Sequence, residues 1–305
     1  MQKFGYIDKT GDFVIPPHFD DLCYRYSEGL AAVNVEGKYG YIDKNGDFVI
    51  PPQFGCVFPF AHGIAAVLIE EKYGYIDKSG KIVIPPTFED VEEFSEGLAY
   101  AKTATQEGYI DPTGAWALIP PPHYNCWHSF CDGLTRIDFC EEEELNEDGY
   151  MDECGCASEG YIDKTGAIAI PPQFKEVFDF SEGLAHVETK HGEYVFIDTK
   201  GDVALKFDFD YESRHLYFSE GLVAVKIDGK FGYADKTGQI VIAPQFDEAY
   251  RFREGLAGVR LRRRWGFIDK NAEWVIEPKP WRPFGFFEGL AMVSVRDYNM
   301  KHFYP

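Results

Sequence analysis

Residues 29–62 read GLAAVNVEGKYGYIDKNGDFVIPPQFGCVFPFAH, and this stretch decides the fold. Leu30 to Val35 is a run of small and β-branched residues that suits a strand. Glu36-Gly37-Lys38 is a tight turn, and Tyr39 to Asp43 is a second strand. At Asp43-Lys44-Asn45-Gly46 the carboxylate can accept backbone N–H groups while the glycine takes the left-handed conformation of a type I turn with a bulge. Asp47 to Ile50 forms a third strand. Pro51-Pro52 is expected to end it, because neither residue can donate to a ladder. Gln53 to Phe60 brings Phe54, Phe58 and Phe60 and reads as a short fourth strand or a packed crossing loop. The Ala31-Ala32 pair implies tight space on an inner strand. Gly40 implies a backbone close to a neighbouring ring.

The stretch recurs along the chain. Gly-Tyr-Ile-Asp starts at Gly5, Gly40, Gly74, Gly108 and Gly160, with variants at Val195-Phe196-Ile197-Asp198, Gly232-Tyr233-Ala234-Asp235 and Gly266-Phe267-Ile268-Asp269. Glu-Gly-Leu-Ala or a close variant places glycines at 29, 63, 97, 133, 183, 221, 255 and 289, mostly 34 residues apart but 50 apart between Gly133 and Gly183. One meander cannot bury both its faces, so such units must stack on like neighbours. The expectation is an all-β fold of tandem 34-residue antiparallel β-meander repeats, about eight units in a single domain over residues 1–305, with an insertion at about 138–159. A closed propeller-like ring is favoured over an open β-solenoid. The chain starts at a second strand, Lys3 to Asp8, and ends just after a first strand, Leu290 to Val295; these complete one unit if the ends meet.

The consensus K-[YWF]-G-Y-I-D-K-x-G-x-x-V-I-P-P-x-F, continued by F-S-E-G-L-A-x-V, resembles the WG (KWG) repeat family common in bacterial proteins. One copy keeps the name-giving tryptophan, in Arg264-Trp265-Gly266. Tyr39-Gly40 and Phe231-Gly232 put other aromatics in that slot, whereas Glu107 and Glu159 depart from it. The resemblance covers nearly the whole chain. It implies a β-repeat region that mediates binding, with no catalytic residues to carry over.

Composition narrows the function. The net charge is −21 in a chain of 305 residues, which repels nucleic-acid phosphates and anionic lipid. The expectations are no nucleic acid, no membrane, and a protein partner for which a basic surface is the complementary one. The Arg262-Arg263-Arg264 run falls at a hairpin turn and reads as a solvated loop. Seven cysteines do not recur with the repeat and form no disulfide framework. The N-terminal MQKFGYIDKTG already lies inside a repeat, so no signal peptide is expected, and a reducing, cytoplasmic setting follows.

Recurrent polar residues have structural readings. Asp43, Asn45 and Asp47 offer oxygens at alternate positions, as a calcium loop does, but the bidentate glutamate is missing and a turn explains every copy. Glu28, Glu96, Glu182, Glu220, Glu254 and Glu288, with His62 and Asp132 in the remaining slots, would lie on one circle in a ring. Local turn chemistry is the favoured reading, over a site for a cation or basic peptide. Cys126, Cys131, Cys140, Cys154 and Cys156, near His123 and His128, have poor zinc spacing. No nucleophile pairs with a base and no phosphate loop is present, so no enzyme activity, metal or cofactor is expected. Function is expected where copies diverge. The candidate partner-binding residues are Glu141, Glu142, Glu143, Glu144, Asp148, Asp152 and Glu153 of the insertion, together with Trp116 and Trp127. The reading is a non-catalytic protein-interaction scaffold. The alternative is a small-ligand or glycan-binding module, with exposure of Trp116, Trp127, Trp274 and Trp281 as its discriminator.

Overall fold

The computed structural model describes residues 2–19, 25–120, 124–125, 128–139, 158–207 and 216–296. Strands are the regular structure throughout the described residues, and none of them forms a helix long and apolar enough to cross a membrane. In the quoted stretch Ala31–Val35, Lys38–Ile42 and Phe48–Phe54 pair antiparallel in sequence order, with Val33 opposite Gly40 and Tyr41 opposite Ile50. Among the described residues eight such meanders occupy seven hydrogen-bonded sheets, because one seven-stranded sheet holds two of them. Phe13–Phe19, Gln2–Ile7, Leu290–Arg296 and Arg282–Phe287 form one sheet in that order. Its central pairing runs from Gln2 opposite Arg296 to Ile7 opposite Ala291. A propeller ring requires this pairing of first and last strands and an open stack lacks it. The fold is that of a β-propeller.

Contacts group the chain into two compact units, one built from residues 1–89 and 219–305 with 209–213, the other from 90–208 with 214–218. In the first unit the middle strand is buried on both faces. Tyr41 packs with Phe54, Phe60, Ala65 and Val67 toward the following copy, while Ile42 packs with Phe4, Tyr6, Ile15 and Tyr26 of the preceding one. This explains why Gly-Tyr-Ile reads as an apolar run rather than an alternation. Ala31 and Ala32 are both 1% exposed, as tight inner packing demands. The second unit repeats the scheme, with Tyr161, Ile170, Phe174 and Phe180 in one cluster and Tyr109, Leu118, Phe130 and Ile162 in another.

Three sequence expectations need correction. First, the proline pair does not end the third strand, which continues through Pro51-Pro52 to Phe54. The register slips between the Tyr39–Phe54 and Tyr41–Ile50 pairs, so the prolines sit at a bulge on an edge strand, where missing donors are tolerated. Second, Gly40 faces backbone rather than a ring: a Cβ there would stand 2.5 Å from Ile50 O and 2.7 Å from Pro52 N. Third, Asp138 and Glu159 belong to the ladder. They lie opposite each other in the pairing of Leu134–Phe139 with Ser158–Asp163, and residues 140–157 between these strands lie outside the described residues.

The other turns behave as read. Asp43 Oδ1 accepts the N–H groups of Asn45 at 2.9 Å and Asp47 at 3.0 Å, and Gly46 has φ of 89°. These hydrogen bonds, the largest being that from Asp47, hold the Asp43 carboxyl below its ordinary range. Arg262 and Arg263 form an exposed hairpin turn with φ of 49° and 69°. The segment after the prolines is a short fourth strand in some copies, such as Asp90–Val91 against Ala99–Lys102 and Glu248–Ala249 against Ala257–Leu261.

Candidate functional site

The recurrent Glu-Gly turns place a carboxylate at the same position in most copies. Each glutamate of the series adopts a left-handed backbone, with φ between 50° and 56° from Glu28 to Glu288. That conformation is strained by about 1 kcal/mol in a non-glycine residue. The side chain leaves its own turn. Glu28 accepts the N–H of Gly63, one copy further on, at 3.0 Å; Glu220 reaches Gly255, Glu254 reaches Gly289, and Glu288 reaches Gly29. A lysine of the Asp-Lys-x-Gly turn then binds both oxygens of the latch: Lys78 Nζ lies 3.1 Å from the Glu28 carboxylate and donates to its carbonyl at 2.9 Å. Lys44 does the same for Glu288, Lys9 for Glu254 and Lys270 for Glu220. In the second unit Glu96 holds Gly133 and Lys164, and Asp132 holds Gly183 at 2.7 Å. The expectation of turn chemistry is right in kind, but the N–H belongs to the next copy. Each of these carboxylates is engaged in a link between repeats.

The second unit carries a denser polar set where its copies diverge. Arg136 stands in the slot that Ala32 and Ala66 fill elsewhere. Its Nε lies 2.8 Å from Asp179 Oδ1, its Nη1 donates to Val177 O at 3.3 Å, and its Nη2 lies 2.8 Å from His128 Nδ1. A guanidinium only donates, so Nδ1 is the acceptor and His128 is neutral with its proton on Nε2. Burial and the neighbouring guanidinium push the His128 pKa down to about 4. The main-chain oxygen of His128 accepts hydroxyls from Tyr109 at 2.7 Å and Thr135 at 2.9 Å. Glu159 accepts the N–H of Val177 at 2.7 Å, and burial raises its pKa to about 7; Asp138 opposite it is raised for the same reason. Burial and nearby carboxylates lift the Cys131 thiol to about 12. In this set His128 Nδ1 is taken up by Arg136, and burial favours the protonated Cys131 thiol. Among the described residues no three His, Cys, Asp or Glu side chains gather as a metal site would require.

Of the residues singled out from sequence, Trp116 is half-buried in Trp116–Leu118, opposite Ile110. Glu141, Glu142, Glu143, Glu144, Asp148, Asp152, Glu153 and Trp127 lie outside the described residues. Trp281 is 3% exposed and Trp274 is half-buried with its ring closed over Gly266. Trp265 is buried and stacks on Tyr250 with centroids 4.8 Å apart. Sequence reading missed Arg136 and Asp179, and weighed His128 only beside the cysteines. The available signal was an arginine in an alanine slot.

The repeat pattern of the WG containing repeat family matches residues 4–39, 39–73, 73–103, 160–194, 196–231, 231–263 and 265–279. The chain belongs to this family. The glycine of the WG signature is the one crowded by the neighbouring bulge, and in the Trp-bearing copy a Cβ on Gly266 would stand 2.5 Å from Ile276 O. The WG matches stop at residue 103 and resume at 160, bracketing the divergent copy and the insertion. Among solved structures, a protein described as a eukaryotic initiation factor is similar with a TM-score of 0.54 at 10% identity, over 90% of this chain and 83% of that one. The computationally designed Ika8 protein is similar with a TM-score of 0.52 at 12% identity, over 87% and 86%. At such identities the likeness shows the fold alone. No curated protein matches the sequence.

Proposed function

We propose that this WG-repeat chain is a non-catalytic interaction scaffold that recognises a protein partner through its divergent segment between residues 103 and 160. One observation carries the reading: the regularly repeated charges are engaged internally, as the Glu28–Gly63–Lys78 latch illustrates. Recognition then falls to positions outside the repeat pattern. The acidic insertion, residues 140–157, contains eight acidic residues and no Lys or Arg, so a basic partner surface complements it. Sugar stacking is the alternative reading: of its four tryptophans Trp281 is buried, Trp116 and Trp274 are half-buried, and Trp127 lies outside the described residues.

The test is quantitative affinity capture with the full chain and with a variant in which residues 140–157 are replaced by a short Gly-Ser linker. Circular dichroism checks that both fold. Specific basic proteins should be captured by the full chain and depleted about tenfold with the variant, the size expected for losing one set of charged contacts. An unchanged set of captured proteins would remove the insertion from the interface.

A further inference from the structure

In two copies a carboxylate ties down the lysine that opens the second strand. Lys72 binds Glu89 at 2.9 Å and Lys230 binds Asp247 at 2.5 Å, with the acid 17 residues after the lysine in both. Asp247 uses its other oxygen, Oδ2, to accept the N–H of Arg262 at 2.9 Å. Arg262 starts the first hairpin turn of the next copy, with φ of 49°. One carboxylate there serves both an ammonium and a turn N–H.

The copy that holds Lys38 keeps both donors and lacks the acceptor. The residue 17 after Lys38 is Gly55. The backbone follows the same path in the two copies. Tyr39 pairs with Phe54 as Phe231 pairs with Phe246. Gly55 N–H donates to Leu68 O at 3.3 Å, as Asp247 N–H donates to Arg260 O at 2.8 Å. Glu70 matches Arg262 and starts its own turn with φ of 56°. Among the described residues neither the Lys38 ammonium nor the Glu70 N–H has a hydrogen-bond or ion-pair partner. A Cβ on Gly55 would find its nearest contact at Leu68 Cδ2, 3.5 Å away, so the missing side chain leaves room.

That room is a cleft of about 340 Å³, open to solvent and bordered by Lys38, Gln53, Gly55, Leu68, Glu70 and Ile82. Pockets that hold small organic ligands begin near about 300 Å³. Leu68 is half-buried and Ile82 is 47% exposed, so an aliphatic chain laid on them leaves water. The Glu70 carboxylate also borders the cleft and repels a second negative charge. We propose that this cleft binds a small aliphatic monocarboxylate. Its carboxylate takes the place that Asp247 fills in the later copy, held by Lys38 Nζ and the Glu70 N–H, and its chain lies on Leu68 and Ile82. Both bonds are charge-assisted, since the acceptor is ionised. The cleft is built within residues 38–82, so it is separate from the divergent segment proposed above for a protein partner.

The test titrates hexanoate into the full chain and follows backbone amide signals by NMR. The Glu70 amide should shift and saturate, and affinity should rise from acetate to hexanoate. Hexanoate should bind about tenfold tighter than hexanol, which lacks the charge, and about tenfold tighter than adipate, which carries a second one, consistent with one charged hydrogen bond gained or one like charge avoided. Added salt should weaken binding. Lys38→Met keeps the apolar stem of an exposed side chain, so the fold should persist while hexanoate binding falls about tenfold. Gly55→Asp supplies the internal carboxylate and should abolish binding while keeping or raising the urea midpoint. Replacement of residues 140–157 should leave binding intact, so loss of the protein partner and loss of hexanoate are separable results. No saturable shift at Glu70, equal affinity for hexanol, or unchanged affinity in Lys38→Met and Gly55→Asp overturns the proposal. A glutamate-bearing peptide that binds tighter than hexanoate overturns the choice of a free small carboxylate.

Discussion

Substitution of three glycines by alanine separates three physical roles in one neighbourhood. At Gly40 a Cβ would stand 2.5 Å from Ile50 O, 2.8 Å from Pro51 C and 2.7 Å from Pro52 N. Carbon–oxygen contacts ordinarily begin near about 3.3 Å, so the neighbouring strand would have to retreat by roughly 0.8 Å. That strand is pinned by pairing at Tyr41–Ile50 and by Phe54 in the core, and the intruding contacts are backbone atoms, which cannot rotate aside. Gly40→Ala should cost about 2–4 kcal/mol. Gly63 has open space around its Cβ position but φ of 79°, so alanine there should cost about 1 kcal/mol from backbone strain alone. Gly55 lies outside the left-handed region with Leu68 Cδ2 at 3.5 Å, an ordinary contact. Gly55→Ala should be neutral or stabilising by about 0.5 kcal/mol, through the unfolded chain's lost freedom. Urea unfolding of the four proteins gives midpoint and slope, and an unchanged slope permits the comparison. If Gly40→Ala costs no more than Gly63→Ala, the steric account of the WG glycine is wrong.

Three further outcomes follow from the charged groups. Glu159→Gln should stabilise the protein at pH 8 by about 1 kcal/mol and have little effect at pH 4.5, measured by urea titration at both pH values. The sign follows from a folded pKa raised from 4.5 to about 7, so the folded state prefers the protonated form and stability declines as pH rises through that window; the figure allows for the water that still reaches the side chain. A double-mutant cycle on Glu28→Gln and Lys78→Met should return a coupling of about 0.5–1 kcal/mol that fades in high salt, as exposed pairs do, and zero coupling at low salt would refute the latch. Asp8, Asp77, Asp163 and Asp235 are held below their ordinary value of 3.8, chiefly by threonine or serine hydroxyls in their turns. Their contribution is present above pH 3.8 and lost as pH falls through the lowered values, so Asp77→Asn should destabilise the protein less in acid, below those values, than at neutral pH, measured by urea titration at both.

What was legible in the sequence was local. Gly46 announces its turn, and the eightfold recurrence sets the strand order. The mismatch between opening second strand and closing first strand anticipates the pairing of Gln2–Ile7 with Leu290–Arg296. What was not legible depends on how one copy lies against the next. Glu28 and Gly63 are 35 residues apart, and only the stacking offset brings them together. The strand that runs through Pro51-Pro52 was misread because proline ends a central strand yet is tolerated at an edge bulge. Asp138 and Glu159 looked like flanks of an acidic loop, and only the ladder shows them as a cross-strand pair. Arg136 breaks one slot of the pattern, and its partners come from segments that no spacing rule connects.

The bulged outer strands also bear on colloidal behaviour. They display β-branched residues to water: Val14, Val49, Ile82 and Val83 are each between 41% and 47% exposed. A flat outer edge with that composition is a template on which another chain's strand could pair and grow into a fibre. Pro16-Pro17, Pro51-Pro52 and Pro85-Pro86 remove two successive donors and bend each such edge, so an incoming strand loses its register after a few residues. The prolines thus act as gatekeepers of solubility as well as parts of the packing around the WG glycine. Their replacement in a single copy should raise the rate of self-association well before it lowers the melting temperature.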